Sequence, residues 1–168
     1  MRALAALLCA LALAAGACSD GRRVVEGVVG AEHEAPFYAV PDPLPPGQPG
    51  ALVRSEPLPQ GPAGALAWRV LYHSRDLNGA DILVSGVVVA PSTPAPPGGR
   101  TIVSWAHPTT GAAKQCAPSL GVDPFDLIEG LQDLLKAGYV VAASDYPGMG
   151  ADGPDSYLIG ASEGHSVL

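Results

Sequence analysis

Residues 123–146 read DPFDLIEGLQDLLKAGYVVAASDY, and they decide the architecture. Leu127, Ile128, Leu131, Leu134 and Leu135 recur at helical spacing. Asp123 stands where an N-cap is expected, Pro124 at the first helical position and Gly138 just past the end, so the spacing predicts a helix over 124–137. YVVAASDY follows at once and is apolar on both faces, as a strand covered by helices on both sides should be. Upstream, TIVSWAH (101–107) has the same character. Strand, helix and strand in that order form a right-handed crossover between parallel strands.

Working towards the N-terminus, WRVLYHS (68–74) alternates and is rich in β formers, and DILVSGVVVAP (81–91) is a longer β-branched run. Between them RDLNGAD carries Asn78-Gly79, a strong hairpin signal, so this pair reads as an antiparallel hairpin. APSTPAPPGGR (90–100) is a loop by its Pro and Gly content. Residues 36–66 are also too rich in Pro and Gly for helix or central strand, and read as part of an extended arm, 18–66, that wraps or tethers the core. The domain proper is expected over 67–168: a mixed α/β sheet, antiparallel hairpin first and parallel β-α-β second.

The first seventeen residues do not belong to that fold. After Arg2 the small and apolar run Ala3–Ala17 is too short to span a bilayer as a helix and has the layout of a secretory signal peptide. Small residues directly precede Cys18, the pattern of a bacterial lipobox, which makes Cys18 the acylated first residue of a membrane-anchored lipoprotein; a plain signal cleaved near Ala17 is the alternative. Either way the chain is exported, to the cell envelope or beyond. Removing 17 of 168 residues leaves 151, enough for one core but not for two large domains. Cys9 leaves with the signal, so Cys116 is either a free thiol or lacks its disulfide partner in this chain.

Nine Lys and Arg against sixteen Asp and Glu give a net charge of −7, which argues against nucleic acid as a partner. His33, His73, His107 and His165 show no metal-ligand spacing, so neither a metal nor another cofactor is expected. Gly160-Ala161-Ser162-Glu163-Gly164 matches G-x-S-x-G literally. A nucleophile elbow needs a strand before the serine, however, and the preceding PGMGADGPDS cannot supply the crossover that such a strand requires. Ser162 is better placed in the capped first turn of a helix, with Ser162 or Gly160 near the N-cap, and His165 on its solvent face.

Three segments in order, VSWAHPTTGAAKQCAPS (103–119), GYVVAASDYPGMG (138–150) and YLIGASEGHSVL (157–168), resemble the N-terminal half of the secretory lipase family, the lipase A-like branch of the α/β-hydrolase superfamily. The resemblance implies an α/β-hydrolase sheet that stops before its nucleophile elbow. Nucleophile, acid and base are then absent from this chain, and the fragment alone is inactive. It also implies an oxyanion donor in the loop after TIVSWA, with Thr110 foremost and Thr109 and Gly111 beside it. His107, Asp145, Tyr146 and Gly148 are the expected substrate-binding positions, at the C-terminal ends of parallel strands. The implied activity is serine-dependent hydrolysis of carboxylic esters of the acylglycerol type, on a lipid or small ester. Two other readings stand beside it: a non-catalytic surface lipoprotein acting as a binding module, and a related hydrolase acting on peptides. Against the binding module, a sheet ending after YVVAASDY would leave that Val- and Ala-rich strand as an open edge.

Overall fold

The computed structural model describes residues 36–168; the expected signal peptide and the expected acylation site Cys18 lie outside them. Five strands form one sheet: β1 Leu52–Pro57, β2 Ala65–Arg75, β3 Asp81–Pro91, β4 Ile102–Ala106 and β5 Val140–Ser144. Their spatial order is β1-β2-β3-β5-β4. β1 to β3 are antiparallel neighbours, β5 runs antiparallel to β3, and β4 and β5 are parallel in the register Ile102↔Val140 to Ala106↔Ser144. Among the described residues there are also two α-helices, α1 Leu131–Lys136 and α2 Gly160–Val167, and two 3-10 turns at Lys114–Cys116 and Pro118–Leu120.

The β2–β3 hairpin pairs Ala65↔Pro91 through Arg75↔Asp81 without a register break. Its loop spans residues 76–80, because the Asp76 carboxylate accepts from the amides of Asn78 and Ala80, each at 2.8 Å, while Gly79 takes the left-handed conformation. The segment expected as an extended arm supplies an edge strand, β1, which its prolines allow there and not in a sheet centre. Part of that segment is locked to the hairpin around Asp81, whose carboxylate accepts from Arg75 at 2.6 Å, from the Gly47 amide at 2.7 Å and pairs with His73 Nδ1 at 2.9 Å. Burial alone would raise the Asp81 carboxyl; the His73 and Gly47 hydrogen bonds and the charges of His73 and Arg75 outweigh it and hold the group below the usual carboxylate range.

Three expectations are corrected by the structure. The helix is confined to Leu131–Lys136, because Gly130 is left-handed (φ 70°) and a continuous helix cannot pass through it. The preceding residues form turns opened by Asp123, whose carboxylate accepts from the Phe125 amide, yet Phe125, Ile128, Leu131 and Leu135 still bury together against Val87, Val89 and Val141. Secondly, β5 is not the open edge; it inserts between β3 and β4. Thirdly, β4 is not covered on both faces: it is an edge strand of the described sheet, and Ile102 is 66% exposed.

One face of the sheet carries two apolar clusters, one centred on Val87, Val89 and Val141, the other on Leu71, Leu83, Leu120 and Met149. Between them runs a buried polar strip. Arg69, 2% exposed, donates from Nε to the Ser119 carbonyl (3.1 Å), pairs with Glu56 at 2.5 Å, and places its guanidinium carbon 5.7 Å from the ring centroids of Phe37 and Tyr38. On the opposite face α2 is seated by side chains of the sheet. Ser74 Oγ donates to the His165 carbonyl (2.9 Å), and Tyr72 Oη stands 2.7 Å from both Ser144 Oγ and the Ser166 carbonyl.

Candidate active site

Because β4 and β5 are parallel neighbours, their C-terminal ends deliver His107 and Asp145 side by side, at the place where open α/β sheets hold ligands. The five-residue loop His107–Gly111 leaves β4 there. Its entry is tightly held. His107 is buried, donates from Nδ1 to the Pro108 carbonyl (2.6 Å), and has its Nε2 3.4 Å from the Asp145 carbonyl. The Tyr146 ring stacks on the imidazole with centroids 4.3 Å apart, and Tyr146 Oη donates to the His107 carbonyl at 3.1 Å. Thr109 Oγ1 and Tyr157 Oη form a further short hydrogen bond.

Thr110 differs from its neighbours. Its Oγ1 is buried with no hydrogen-bond partner among the described residues, and its amide, like those of Thr109 and Gly111, has no backbone acceptor among them. A buried hydroxyl left without a partner costs about 1–3 kcal/mol, so it calls for an explanation. After it, Gly111 adopts φ 117°, and a Cβ there would come within 2.6 Å of Cys116 Sγ. Only glycine closes the loop over that sulfur. Cys116 is partly exposed and unpaired among the described residues.

Asp145, expected in the wall of a substrate pocket, is placed otherwise. It is 1% exposed, and its carboxylate accepts from Ser85 Oγ (2.6 Å), the Ser119 amide (2.9 Å) and Ser119 Oγ. Ser119 Oγ therefore receives the hydrogen of Tyr38 Oη, 2.7 Å away. Burial pushes the Asp145 carboxyl up; the hydrogen bonds from Ser119 and Ser85 and the charge of His107 pull it partly back. The group ties the end of β5 to β3 and to the Pro118–Leu120 turn. Gly148 is left-handed (φ 80°) and packs on the Pro154 carbonyl, which a Cβ there would meet at 3.1 Å.

Tyr146 occupies the left-handed region as well, at φ 69°. For a bulky residue this costs about 1–3 kcal/mol and persists only where surrounding contacts enforce it. Tyr146 lines a crevice with Ala112, Ser156, Tyr157 and Glu163 that has only about 10 Å³ of free volume, room for about one water.

Ser162 is no elbow. It is fully buried inside the first turn of α2, its Oγ 2.6 Å from Ser156 Oγ, and the residues before it form a turn with Leu158 at φ 61°, not a strand. The N-cap is Ile159, without a side-chain cap, so neither Ser162 nor Gly160 caps the helix. His165 is exposed on α2, as its sequence position indicates. Among the described residues no histidine nitrogen hydrogen-bonds a serine hydroxyl, so no Ser–His pair is assembled there. Sequence reasoning missed Ser85, Ser119 and Tyr157. Ser119 lies inside the CAPS motif, and its contact with Asp145 joins that motif to SDYPGMG.

No family model and no curated protein matches the sequence. Among solved structures, the chain is similar to Candida antarctica lipase A in its closed state, at TM-score 0.63 and 24% identity over 79% of this chain and 33% of that one. It is also similar to an N228W mutant of the rice cell wall degrading esterase LipA from Xanthomonas oryzae, at TM-score 0.53 and 22% identity over 72% of this chain and 36% of that one. The chain therefore spans about a third of the length of either structure. What the likeness establishes is the fold: the five-stranded mixed sheet is the corresponding part of an α/β-hydrolase sheet.

Proposed function

We propose that this chain is the N-terminal portion of an exported serine ester hydrolase of the secretory lipase type, and that it contributes the oxyanion loop. The observation that carries the reading is Thr110: a free amide and an orphaned buried hydroxyl, in the loop after β4, beside the C-terminal end of a parallel neighbour. In an α/β-hydrolase that loop supplies one oxyanion donor, and the amide after the nucleophile supplies the other. The open edge of β4 is where a further parallel strand carrying the serine would pair. There the serine attacks the ester carbonyl, a histidine moves its proton to the leaving alcohol, and Thr110 stabilises the charge that develops on the carbonyl oxygen. Thr109 and Gly111 flank that donor, and His107 and Tyr146 shape the loop. An acyl chain on Cys18 anchors the protein to the cell envelope, and Cys116 pairs with a cysteine beyond this chain. The substrate is a lipid or small carboxylic ester.

The test compares the product of the complete reading frame containing these residues with residues 18–168 alone, using fluorophosphonate labelling and p-nitrophenyl butyrate hydrolysis. The complete product is expected to label at one serine and turn over, and residues 18–168 to do neither. A complete product that neither labels nor hydrolyses esters leaves the binding-module reading in place.

A further inference from the structure

We infer that Tyr146 and Tyr157 are positioning residues for the oxyanion loop, an assignment that rests on the reading of Thr110 as its donor. The direction of the Thr110 N–H is set by the three residues before it, and each of them is held by a different contact. Tyr146 fixes His107 twice, by its ring at 4.3 Å and by its hydroxyl on the His107 carbonyl at 3.1 Å. His107 passes the constraint on, since its Nδ1–H holds the Pro108 carbonyl at 2.6 Å and so orients the peptide plane leading into Thr109. Tyr157, from the segment ahead of α2, closes the far side through the Thr109 hydroxyl. Beyond these points the Thr110 hydroxyl has no partner among the described residues to hold it.

The backbone of Tyr146 supports the same assignment. A tyrosine at φ 69° is held in a conformation that glycine adopts without strain, and the turn it opens already uses glycine at 148 and 150. The side chain of Tyr146 packs on the apolar cluster around Leu71, Leu83 and Met149, and it is its ring face and hydroxyl that reach His107. Strain held by surrounding contacts is a signature of functional positioning.

The experiment uses the complete protein with Tyr146→Phe, Tyr157→Phe and the double variant, measuring kcat, KM and melting temperature with p-nitrophenyl butyrate. Phenylalanine keeps each ring and removes only the hydroxyl on the loop. Each single variant is expected to lower kcat about tenfold and the double variant about 10²-fold, since misplacement of a catalytic group by about 1 Å costs that much. KM and melting temperature should stay close to those of the parent. Wild-type kcat in the double variant, or a loss of kcat only where melting temperature falls with it, would overturn the inference. Thr110→Pro, measured alongside, separates the two claims. If Thr110→Pro is fully active the oxyanion reading fails; if it is inactive while the tyrosine variants are normal, the positioning inference alone fails.

Discussion

Thr110→Pro in the complete protein is expected to lower kcat by about 10²–10³, or about 2.7–4 kcal/mol in the barrier, the usual effect of deleting one oxyanion donor. Proline removes the Thr110 N–H, which, like those of Thr109 and Gly111, has no acceptor among the described residues, while β4 and the buried strip around Asp145 keep their contacts. Thr110→Val provides the companion measurement. Valine has nearly the same shape, keeps the amide and deletes only the orphaned hydroxyl. Replacing an unsatisfied buried polar group by an apolar one is neutral or stabilising, so the melting temperature should hold or rise. If the hydroxyl is retained for catalysis, kcat falls about tenfold in the same variant. Stability and activity then move in opposite directions at one residue. A purely structural threonine does not produce that result, and equilibrium unfolding paired with steady-state kinetics on the two variants decides it.

Asp145→Ala is expected to destabilise the fold by about 3–5 kcal/mol, read by urea unfolding. Three donors converge on that carboxylate from β3 and the Pro118–Leu120 turn, and truncation leaves them buried without an acceptor. Asp145→Asn keeps one acceptor oxygen, and the serine hydroxyls can rotate to accept from the new amide, so its cost is smaller, about 1–2 kcal/mol. The two differ also in pH dependence. Burial raises the Asp145 carboxyl above its unfolded value of 3.8, so the folded protein takes up this proton at higher pH than the unfolded chain. The contribution is therefore fully present below the unfolded value and is lost as pH rises through the folded one. Asp81, held low, acts in the opposite sense: its contribution is present above the unfolded value of 3.8 and is lost as pH falls through the folded one. Asp145→Asn should remove the first component and leave the second. A parent and variant with the same pH profile of unfolding would show that Asp145 titrates alike in both states.

Much of this was legible in the sequence, and the parts that were not have physical reasons. The β2–β3 hairpin announces itself by alternation around Asn78-Gly79, and the parallel β4–β5 pair by two apolar runs separated by a crossover. β1 was hidden because Pro and Gly surround it, and only the edge of a sheet tolerates that. The helix was over-read because Leu spacing continues through residues 127–135 although Gly130 turns the backbone left-handed; burial of a periodic stripe survived where the helix did not. At the site, position along the sheet is what places the His107–Gly111 loop at the C-terminal end of β4; the choice of Thr110 within it comes from the family resemblance. The role of Asp145 was not readable, since its partners Ser85 and Ser119 lie 60 and 26 residues away and meet it only in the fold. Nor could any local signal place Tyr146 in a conformation that sequence statistics reserve for glycine.

The most direct measurement is a crystal structure of the complete protein after reaction with an alkyl phosphonate, whose phosphoryl oxygen stands where the ester oxyanion develops. That oxygen should lie about 2.7–3.1 Å from the Thr110 amide nitrogen, with the modified serine on a strand paired to the free edge of β4. A phosphonate bound elsewhere, or one whose oxygen points away from residues 109–111, would contradict the assignment of this loop as the oxyanion hole.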